Sequence, residues 1–336
     1  MSQKKIDKQM KQIEDKRAKG RVFKKDSSFL KAEENVFDVP TLKLLYSFAN
    51  KGFINELGGS ISTGKEANVF YAIGNEGEVA VKIYRINSST FKSMDPYILK
   101  DPRFTHIRHS RKDIIFAWTQ KEYQNLLRIN KAGIRSPKPI TFDRNVLIME
   151  FMGENGVAYP SLKEIKMDDE TARNFYDQII ENMRRMYVRA SLVHADLSEY
   201  NILIDTEKEE VVIIDVGQAV TLNHPNAREF LTRDIENIKR FFKKFGIDEP
   251  TKEILERIKL KKEEDTIIEP DPEEITVGQE NKEIKNKNIE NEDNKNESIE
   301  NENNRYENTE NEDNKNESIE NETNRNENTE NEIEEE

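Results

Sequence analysis

Apolar residues recur at regular spacing over only part of this chain of 336 residues, from Val36 to about Ile258. This stretch is long enough to build one enzyme domain with two lobes. The flanking segments, residues 1–35 and 261–336, contain too few apolar side chains to bury a core. The sequence therefore predicts one folded body between a disordered, basic N-terminal arm and a disordered C-terminal tail.

The tail holds the acidic excess of the chain. The whole chain carries 53 basic and 66 acidic side chains, a formal charge of −13, and residues 281–336 carry 7 basic and 20 acidic ones, which is also −13. Two 20-residue units, 291–310 and 311–330, differ at only two positions. Each unit offers too little apolar surface to stack, so we expect a disordered, Asn- and Glu-rich segment. It is either an unselected repeat expansion or a binding segment.

Composition also narrows the cellular setting. The chain has no cysteine, which excludes disulfides, thiolate metal sites and a cysteine nucleophile. Residues 1–35 are charged where a secretion signal needs an apolar stretch, and no run approaches the roughly 20 apolar residues that span a bilayer. We expect a cytoplasmic protein, with passage through the nucleus left open and no membrane partner. The arm is either a solvated segment or a contact for RNA or a partner protein.

Within the body, the apolar pattern changes from strands to helices along the chain. Alternating β-branched and aromatic residues predict strands within residues 53–85 and 145–151. Helical spacing predicts helices at 111–131, 168–190 and about 228–245. Between the last two helices, two short apolar segments that resemble hairpins enclose polar residues; they are residues 192–204 and 211–220.

The glycine-containing segment GSISTGKEANVF, residues 59–70, matches the G-x-x-x-x-G-K pattern of a P-loop. A P-loop then needs a hydroxyl for magnesium and a helix, whereas Glu66 and a predicted strand follow here, so this interpretation is disfavoured. A loop between antiparallel strands would instead cover nucleotide phosphates, using backbone N–H groups and the hydroxyls of Ser62 and Thr63. A plain hairpin is the alternative.

Lys82 interrupts an otherwise apolar predicted strand, Ala-Val-Lys-Ile. A buried ammonium group requires an acidic partner, and Glu122 on the predicted helix 111–131 is the natural candidate. Held by Glu122, Lys82 would be placed to contact the α and β phosphates of a nucleotide. A lysine on the protein surface is the alternative.

The most specific motif is His-x-Asp-x4-Asn, with Asp196 and Asn201 five positions apart, followed by Asp-x-Gly at Asp215. Phosphoryl transfer needs one carboxylate near the acceptor hydroxyl and further oxygen ligands for Mg²⁺. This spacing supplies both. An ordinary network of polar turn residues is the alternative.

Six segments together resemble the motifs of the RIO kinases, atypical serine/threonine protein kinases; they are STGKEANVFYA, AVKIYR, WTQKEYQNL, VLIMEF, LVHADLSEYNILI and IIDVGQAV. The resemblance covers residues 41 to about 245, and STGKEANV is similar to the first, Rio-one-type subfamily. It implies an α+β, two-lobed protein-kinase-like fold of the reduced RIO type at residues 36–260. The N-lobe would span about 36–149, the hinge 150–153 and the C-lobe about 154–260.

The resemblance also implies roles around ATP. Lys82 matches the lysine that binds the ATP phosphates, and Glu122 matches its partner. Glu150 and Met152 occupy hinge positions whose backbone groups hold adenine. The distance between Lys82 and Glu122 in the sequence accommodates an insertion of the family, here about residues 85–111.

For the reaction itself, Asp196 matches the catalytic aspartate, and Asn201 and Asp215 match the Mg²⁺ ligands. In this subfamily the last of these is also implicated as the acceptor of phosphate from ATP, which gives an aspartyl-phosphate intermediate and ATPase turnover. Ala195 and Ser198 stand where ordinary kinases carry Arg and Lys, and no A-P-E segment follows, so we expect no ordinary peptide groove. Asp-Val-Gly also lacks the aromatic residue whose packing switches many kinases.

The implied setting is late cytoplasmic maturation of the small ribosomal subunit, with the precursor particle, its rRNA and its assembly factors as partners. One alternative is a pseudokinase-like ribosome assembly factor that binds nucleotide without significant turnover. A small-molecule kinase of related fold is another. The insertion contains a basic cluster that is either a solvated loop or an rRNA contact; its members are Arg103, His106, Arg108, His109, Arg111 and Lys112.

Overall fold

The computed structural model describes residues 37–86, 91–98, 100–104 and 110–268. The chain divides into two units, Met1–Pro270 and Asp271–Glu336, and all described residues belong to the first. The predicted arm and the repeat-containing tail lie outside the described residues.

Five antiparallel strands form the sheet of the first lobe, in the spatial order β1-β2-β3-β5-β4. They are β1 (Glu56–Thr63), β2 (Ala67–Gly74), β3 (Gly77–Tyr84), β4 (Pro139–Asp143) and β5 (Val146–Glu150). A two-residue turn joins β2 to β3, and Gly77 closes it with a φ of 119°, a conformation that favours glycine. The predicted strands are all present, and β4 is an additional one.

Three helices accompany this sheet: α1 (Val39–Asn50), α2 (Phe91–Ile98) and α3 (Arg111–Lys131). The sequence predicted α3 with the same bounds, and the Ser110 hydroxyl caps it by accepting the Asp113 N–H at 3.2 Å. We did not predict α1, although Asp38 caps it by accepting the Thr41 N–H at 2.8 Å. Its buried leucines and Phe48 pack in one core with the sheet residues Val81 and Ile148.

The second lobe is mainly helical, with α4 (Asp169–Val188), α5 (Ala227–Phe242) and α6 (Thr251–Lys259). Short strand pairs complete it; they are β6 (Gly153–Glu154) with β7 (Val157–Ala158), β8 (Leu192–Val193) with β11 (Val220–Thr221), and β9 (Ile202–Asp205) with β10 (Glu210–Ile213). The predicted segments 192–204 and 211–220 therefore pair with each other rather than forming separate hairpins. This pairing brings their polar residues to one place.

The predicted boundary at residue 260 is too early, because residues 261–268 pack against α4. Asp265 accepts hydrogen bonds from Arg184 at 2.5 Å and from Arg189 at 2.6 Å, and its side chain is only 3% exposed. The Ile268 N–H donates to the Arg189 carbonyl at 2.8 Å. Composition places this charged segment in the tail, but its charges are used in tertiary ion pairs.

The α+β, two-lobed arrangement confirms the predicted fold class. The largest buried core joins α3 to the helices of the second lobe, and a second core lies between α1 and the sheet. Among the described helices, none is long and apolar enough to cross a membrane.

Candidate active site

A cavity of about 710 Å³ lies between the sheet and the loops of the second lobe. Eight of the nine predicted site residues line it; they are Ser62, Lys82, Glu122, Glu150, Met152, Asp196, Asn201 and Asp215. The cavity also takes in the β1–β2 turn, residues 64–66, and Ala67 at the start of β2. Its volume is within the usual range for pockets that bind small molecules.

Thr63 is the one predicted site residue that does not border the cavity. Ser62 lines the cavity, whereas its neighbour Thr63 does not. Both residues lie in β1, paired with Val69 and Asn68 of β2. The predicted contact of Thr63 with the phosphates therefore stays a prediction.

Lys82 occupies the centre of the site because of the strand alternation in β3. Val81 and Ile83 are fully buried in the core between the sheet and α1, so Lys82 faces the cavity. Its Nζ lies 2.7 Å from Glu122 Oε1 and 2.9 Å from Asp215 Oδ1. The predicted pair with Glu122 is therefore present, and Asp215 makes it a triad.

Two of the three charges in this triad, those of Lys82 and Glu122, are buried. Lys82 and Glu122 side chains are 8% and 1% exposed, and the Tyr84 hydroxyl also donates to Glu122. Burial disfavours the Lys82 cation, but Asp215 and Glu122 outweigh it and raise the pKa of Lys82 well above its usual value. Burial likewise disfavours the Asp215 anion, yet Lys82 holds its pKa below the usual range. Both groups are therefore charged at neutral pH.

Asp215 has an uncommon backbone conformation for a residue with a side chain. Its φ of 57° and ψ of 63° are left-handed, and a short 3₁₀ turn, Val216–Gln218, follows it. Such a conformation costs on the order of 1–3 kcal/mol and persists only where the surroundings hold it. The Asp215 side chain is 50% exposed and borders the cavity.

Asp196 lies in the loop between β8 and β9, where two amides hold it. Asn201 Nδ2 donates to the Asp196 carbonyl at 2.8 Å and to Oδ2 at 3.3 Å, and Gln218 Nε2 donates to Oδ2 at 3.2 Å. Burial, reinforced by the charge of Asp215, raises the pKa of Asp196. A carboxylate with a raised pKa is suited to accept a proton. Gln218 was not predicted, because nothing in the sequence links it to Asp196.

Asn201 is fixed next to Asp215 by the pairing of the two loops. The Ile214 N–H donates to the Asn201 carbonyl at 3.1 Å, and the Asn201 N–H donates to the Ser198 carbonyl at 3.0 Å. Since its NH₂ group is directed at Asp196, its amide oxygen is the side left for a cation. The structure thus brings Asn201 and Asp215 together, as the spacing predicts.

A buried aspartate on α5 is hydrogen-bonded to the backbone of the Asp196 loop. We did not identify it from the sequence. Asp234 accepts the N–H of Ala195 at 2.8 Å and the N–H of Leu197 at 2.9 Å. Arg233 donates to the Ala195 carbonyl. Burial raises the pKa of Asp234 to about 7, although both N–H groups favour the anion. The only signal in the sequence is an acidic residue on the apolar side of a predicted helix.

His194 is a buried, neutral imidazole at the start of the same loop. Its Nδ1 accepts the Asp196 N–H at 3.3 Å, and its Nε2 faces the Ile214 carbonyl at 3.1 Å. If Nδ1 were protonated, its N–H would face the Asp196 N–H, and neither group could accept a hydrogen bond. Burial lowers the pKa of His194 to about 4, against an ordinary value of about 6.5.

We therefore expect His194 to weaken the fold as the pH falls from about 6.5 to about 4. In that window the unfolded chain binds a proton that the folded chain does not, which removes about 3 kcal/mol of stability. Urea unfolding of the wild type and His194→Gln at several pH values isolates this contribution, because other groups, including Asp234, cancel in the difference. A difference that stays constant between pH 7 and 4.5 would contradict the assignment.

At the hinge, the side chain of Glu150 is turned towards β4. Its carboxylate accepts from Arg135 at 2.9 and 3.1 Å and from the Lys138 N–H at 3.1 Å. The Met152 carbonyl accepts the Tyr159 N–H at 2.9 Å. Glu150 and Met152 both border the cavity. Their predicted role, holding adenine through backbone groups, remains a prediction.

The basic insertion is only partly described. His106, Arg108 and His109 lie outside the described residues, and Arg111 and Lys112 are exposed at the start of α3. Arg103 is turned inwards, where Asp101 accepts from it at 2.9 and 2.7 Å. Because a carboxylate neutralises it, Arg103 does not belong with the predicted RNA-facing cluster.

A sheet lobe with a buried Lys–Glu pair, a helical lobe and two acidic loops between them define a protein-kinase-like protein. The RIO domain family matches residues 68–255, more than half of the chain. The chain therefore belongs to the RIO family of serine/threonine-protein kinases, which confirms the predicted resemblance.

Several curated relatives carry names of this family. The RIO-type serine/threonine-protein kinase Rio1 of Haloferax volcanii is 48% identical over 225 residues, covering 67% of this chain and 76% of the relative. Rio1 of Thermoplasma acidophilum is 44% identical over 193 residues, 57% of this chain and 100% of the relative. Human serine/threonine-protein kinase RIO1 is 41% identical over 226 residues, and the match spans only 39% of that protein.

Among solved structures, the Rio2 kinase of Chaetomium thermophilum in a complex with ADP, Mg²⁺ and phosphoaspartate has a TM-score of 0.49 and 24% identity. The match covers 63% of this chain and 64% of that one. The family assignment rests on the sequence relatives.

Proposed function

We propose that this chain is an ATP- and Mg²⁺-dependent serine/threonine protein kinase of RIO type with ATPase activity. The observation that carries the proposal is the joining of Lys82, Asp196 and Asp215 around one cavity, with Asn201 beside them. Phosphoryl transfer requires a cation for the phosphates, a carboxylate near the acceptor and oxygen ligands for a metal. All of these groups line the same cavity.

The donor set fits both ATP and Mg²⁺. The Asp215 carboxylate and the Asn201 amide oxygen are hard oxygen ligands, which Mg²⁺ prefers. When bound, Mg²⁺ neutralises the charge of the ATP phosphates. Lys82 would contact the α and β phosphates, Ser62 and the neighbouring β1–β2 turn would cover them, and the backbone at the hinge would hold adenine.

Asp196 would accept the proton of the attacking hydroxyl or water. Asn201 and Gln218 both donate to Oδ2, so Oδ1 is the oxygen left to face the acceptor. Its raised pKa brings the carboxylate closer to the operating pH, where general-base catalysis is most efficient.

We further propose that phosphate passes through Asp215. A carboxylate oxygen of Asp215 would attack the γ-phosphorus of ATP, and the bond from that phosphorus to the bridging oxygen would break as ADP leaves. Water, losing its proton to Asp196, would then attack the phosphorus of the acyl phosphate and restore the Asp215 carboxylate. The half-exposed side chain and the charge of Lys82 at 2.9 Å support this role.

The competing function is a pseudokinase-like assembly factor that binds nucleotide without turnover. The presence of every charged group named above argues against it. Phosphate release at saturating ATP, with and without Mg²⁺, separates the two. Release of more than one phosphate per chain only with Mg²⁺ supports the enzyme; stoichiometric ATP binding without release would identify the pseudokinase.

For the biological setting, we propose late cytoplasmic maturation of the small ribosomal subunit. The support is the family membership and the exposed basic residues Arg111 and Lys112 at the start of α3. Wild type and Asp215→Asn should be sedimented with small-subunit precursor particles, with and without ATP. ATP is expected to change the bound fraction of the wild type but not that of the variant. No cosedimentation under any condition would contradict this setting.

A further inference from the structure

Helix α3 carries a second pair of buried polar residues beside Glu122, and the proposed reaction does not use them. Lys121 and Asn125 lie four positions apart, on one face of the helix, and both side chains are 0% exposed. Burying an ammonium group is costly unless it is hydrogen-bonded. Their partners therefore indicate what the pair does.

Both side chains donate to backbone carbonyls of the turn that follows Asp215. Lys121 Nζ donates to the Gly217 carbonyl at 2.8 Å and to that of Ala219 at 2.6 Å. Asn125 Nδ2 donates to the Val216 carbonyl at 2.8 Å and to that of Ala219 at 3.1 Å. Four hydrogen bonds thus tie α3 to this turn, two from Lys121 and two from Asn125.

A contact from the insertion orients the Asn125 amide. Arg103 donates to Asn125 Oδ1 at 2.8 Å, so the NH₂ group is turned to the carbonyls. Asp101, whose side chain is fully buried, accepts from the same guanidinium at 2.9 and 2.7 Å. A chain of hydrogen bonds therefore leads from Asp101 through Arg103 and Asn125 to the turn.

The turn needs such support for two reasons. The backbone of Asp215 has the left-handed conformation, which persists only where its surroundings hold it. Its side chain is half exposed, so side-chain burial does not supply that support. In addition, Val216 stands where many kinases have an aromatic residue that packs this loop in place. Val216 is buried but smaller than an aromatic residue, and the polar bonds from α3 act on the same turn.

We propose that Lys121 and Asn125 are positioning residues that hold Asp215 in place to bind Mg²⁺, with Arg103 orienting Asn125. This inference rests on the proposed function of Asp215 as a Mg²⁺ ligand. Neither residue borders the cavity, so the bonds should govern the Mg²⁺ requirement rather than the affinity for nucleotide alone.

The most direct test is Asn125→Asp, which keeps the shape and the contact with Arg103 but turns oxygens towards the carbonyls. We expect the Mg²⁺ concentration for half-maximal turnover to rise about tenfold or more, because two buried hydrogen bonds are replaced by repulsion. Affinity for ADP measured without Mg²⁺ should stay within about twofold. An unchanged Mg²⁺ requirement would overturn the proposal.

A second variant guards against a simple folding defect. Lys121→Met removes both of its bonds, whereas Lys121→Gln keeps N–H donors, so the Mg²⁺ requirement of the Gln variant should lie between those of wild type and Met. Lys131→Met, at an exposed lysine on the same helix, should behave as wild type. Equal effects of Met and Gln at position 121 would indicate a merely structural role and count against the proposal.

The test also separates this inference from the proposed function. If the wild type shows no Mg²⁺-dependent turnover, the proposed function fails, and hydrogen exchange of residues 214–221 then tests the bonds alone. Faster exchange there in Asn125→Asp than in wild type supports the positioning role. Identical exchange would overturn it.

Discussion

Replacing Asp196 with Asn is expected to lower ATP turnover by about a hundredfold to ten-thousandfold, the usual contribution of a general base. The amide keeps the size of the side chain and can still meet Asn201 or Gln218, but it cannot accept a proton. Affinity for ATP and ADP should change only a few-fold, because Asp196 faces the acceptor rather than the phosphates. Turnover kinetics and calorimetric nucleotide titration measure the two effects.

Glu199→Gln is the matched control for this variant. It removes one negative charge from the same loop, and Glu199 is not among the cavity-lining residues. Its turnover should be close to that of the wild type. If Asp196→Asn turned over ATP at the wild-type rate, Asp196 would not be the general base.

Replacing Lys82 with Met is expected to abolish measurable turnover and also to destabilise the fold. The loss leaves the Glu122 carboxylate buried without its cation, a change that typically costs about 3–5 kcal/mol. ATP affinity should fall as well, since the phosphates lose their cation. Urea unfolding and nucleotide titration of the full chain give both quantities.

The double variant Lys82→Met/Glu122→Gln separates these two effects. With no buried charge left over, its free energy of unfolding should recover much of the loss, and the amide can still meet the Tyr84 hydroxyl. Turnover should stay absent. A double variant as unstable as the single one would show that the carboxylate is not the source of the destabilisation.

Where local pattern determines structure, the sequence was a reliable guide. Helix α3 has the predicted bounds because its apolar spacing and the Ser110 cap both specify it. The pairing of Lys82 with Glu122, 40 positions apart, was predictable because a lysine in an apolar strand needs an acid. The loops holding Asp196 and Asp215 were recognisable from spacing alone.

What could not be predicted depends on contacts between distant segments. A helical pattern indicates which face of α5 is buried, but not that Asp234 on that face meets the backbone around Asp196. The same applies to Lys121, whose partners are backbone carbonyls almost 100 positions away. Every residue has a backbone carbonyl, so the sequence does not indicate which carbonyl accepts a hydrogen bond.

Two further differences have the same origin. The hydroxyls of Ser62 and Thr63 both fit the pattern of a phosphate loop, but of the two only Ser62 borders the cavity. Residues 261–268 look like the start of the polar tail by composition. Asp265 belongs to the body because Arg184 and Arg189 need its carboxylate.

We expect ATP to phosphorylate Asp215. A single-turnover reaction with γ-labelled ATP, quenched in acid and analysed for labelled protein, tests it most directly. We predict a labelled chain that loses its label in hydroxylamine, as acyl phosphates do, and no label on Asp215→Asn. Consumption of ATP with no labelled protein, or with label only on serine or threonine, would contradict the account.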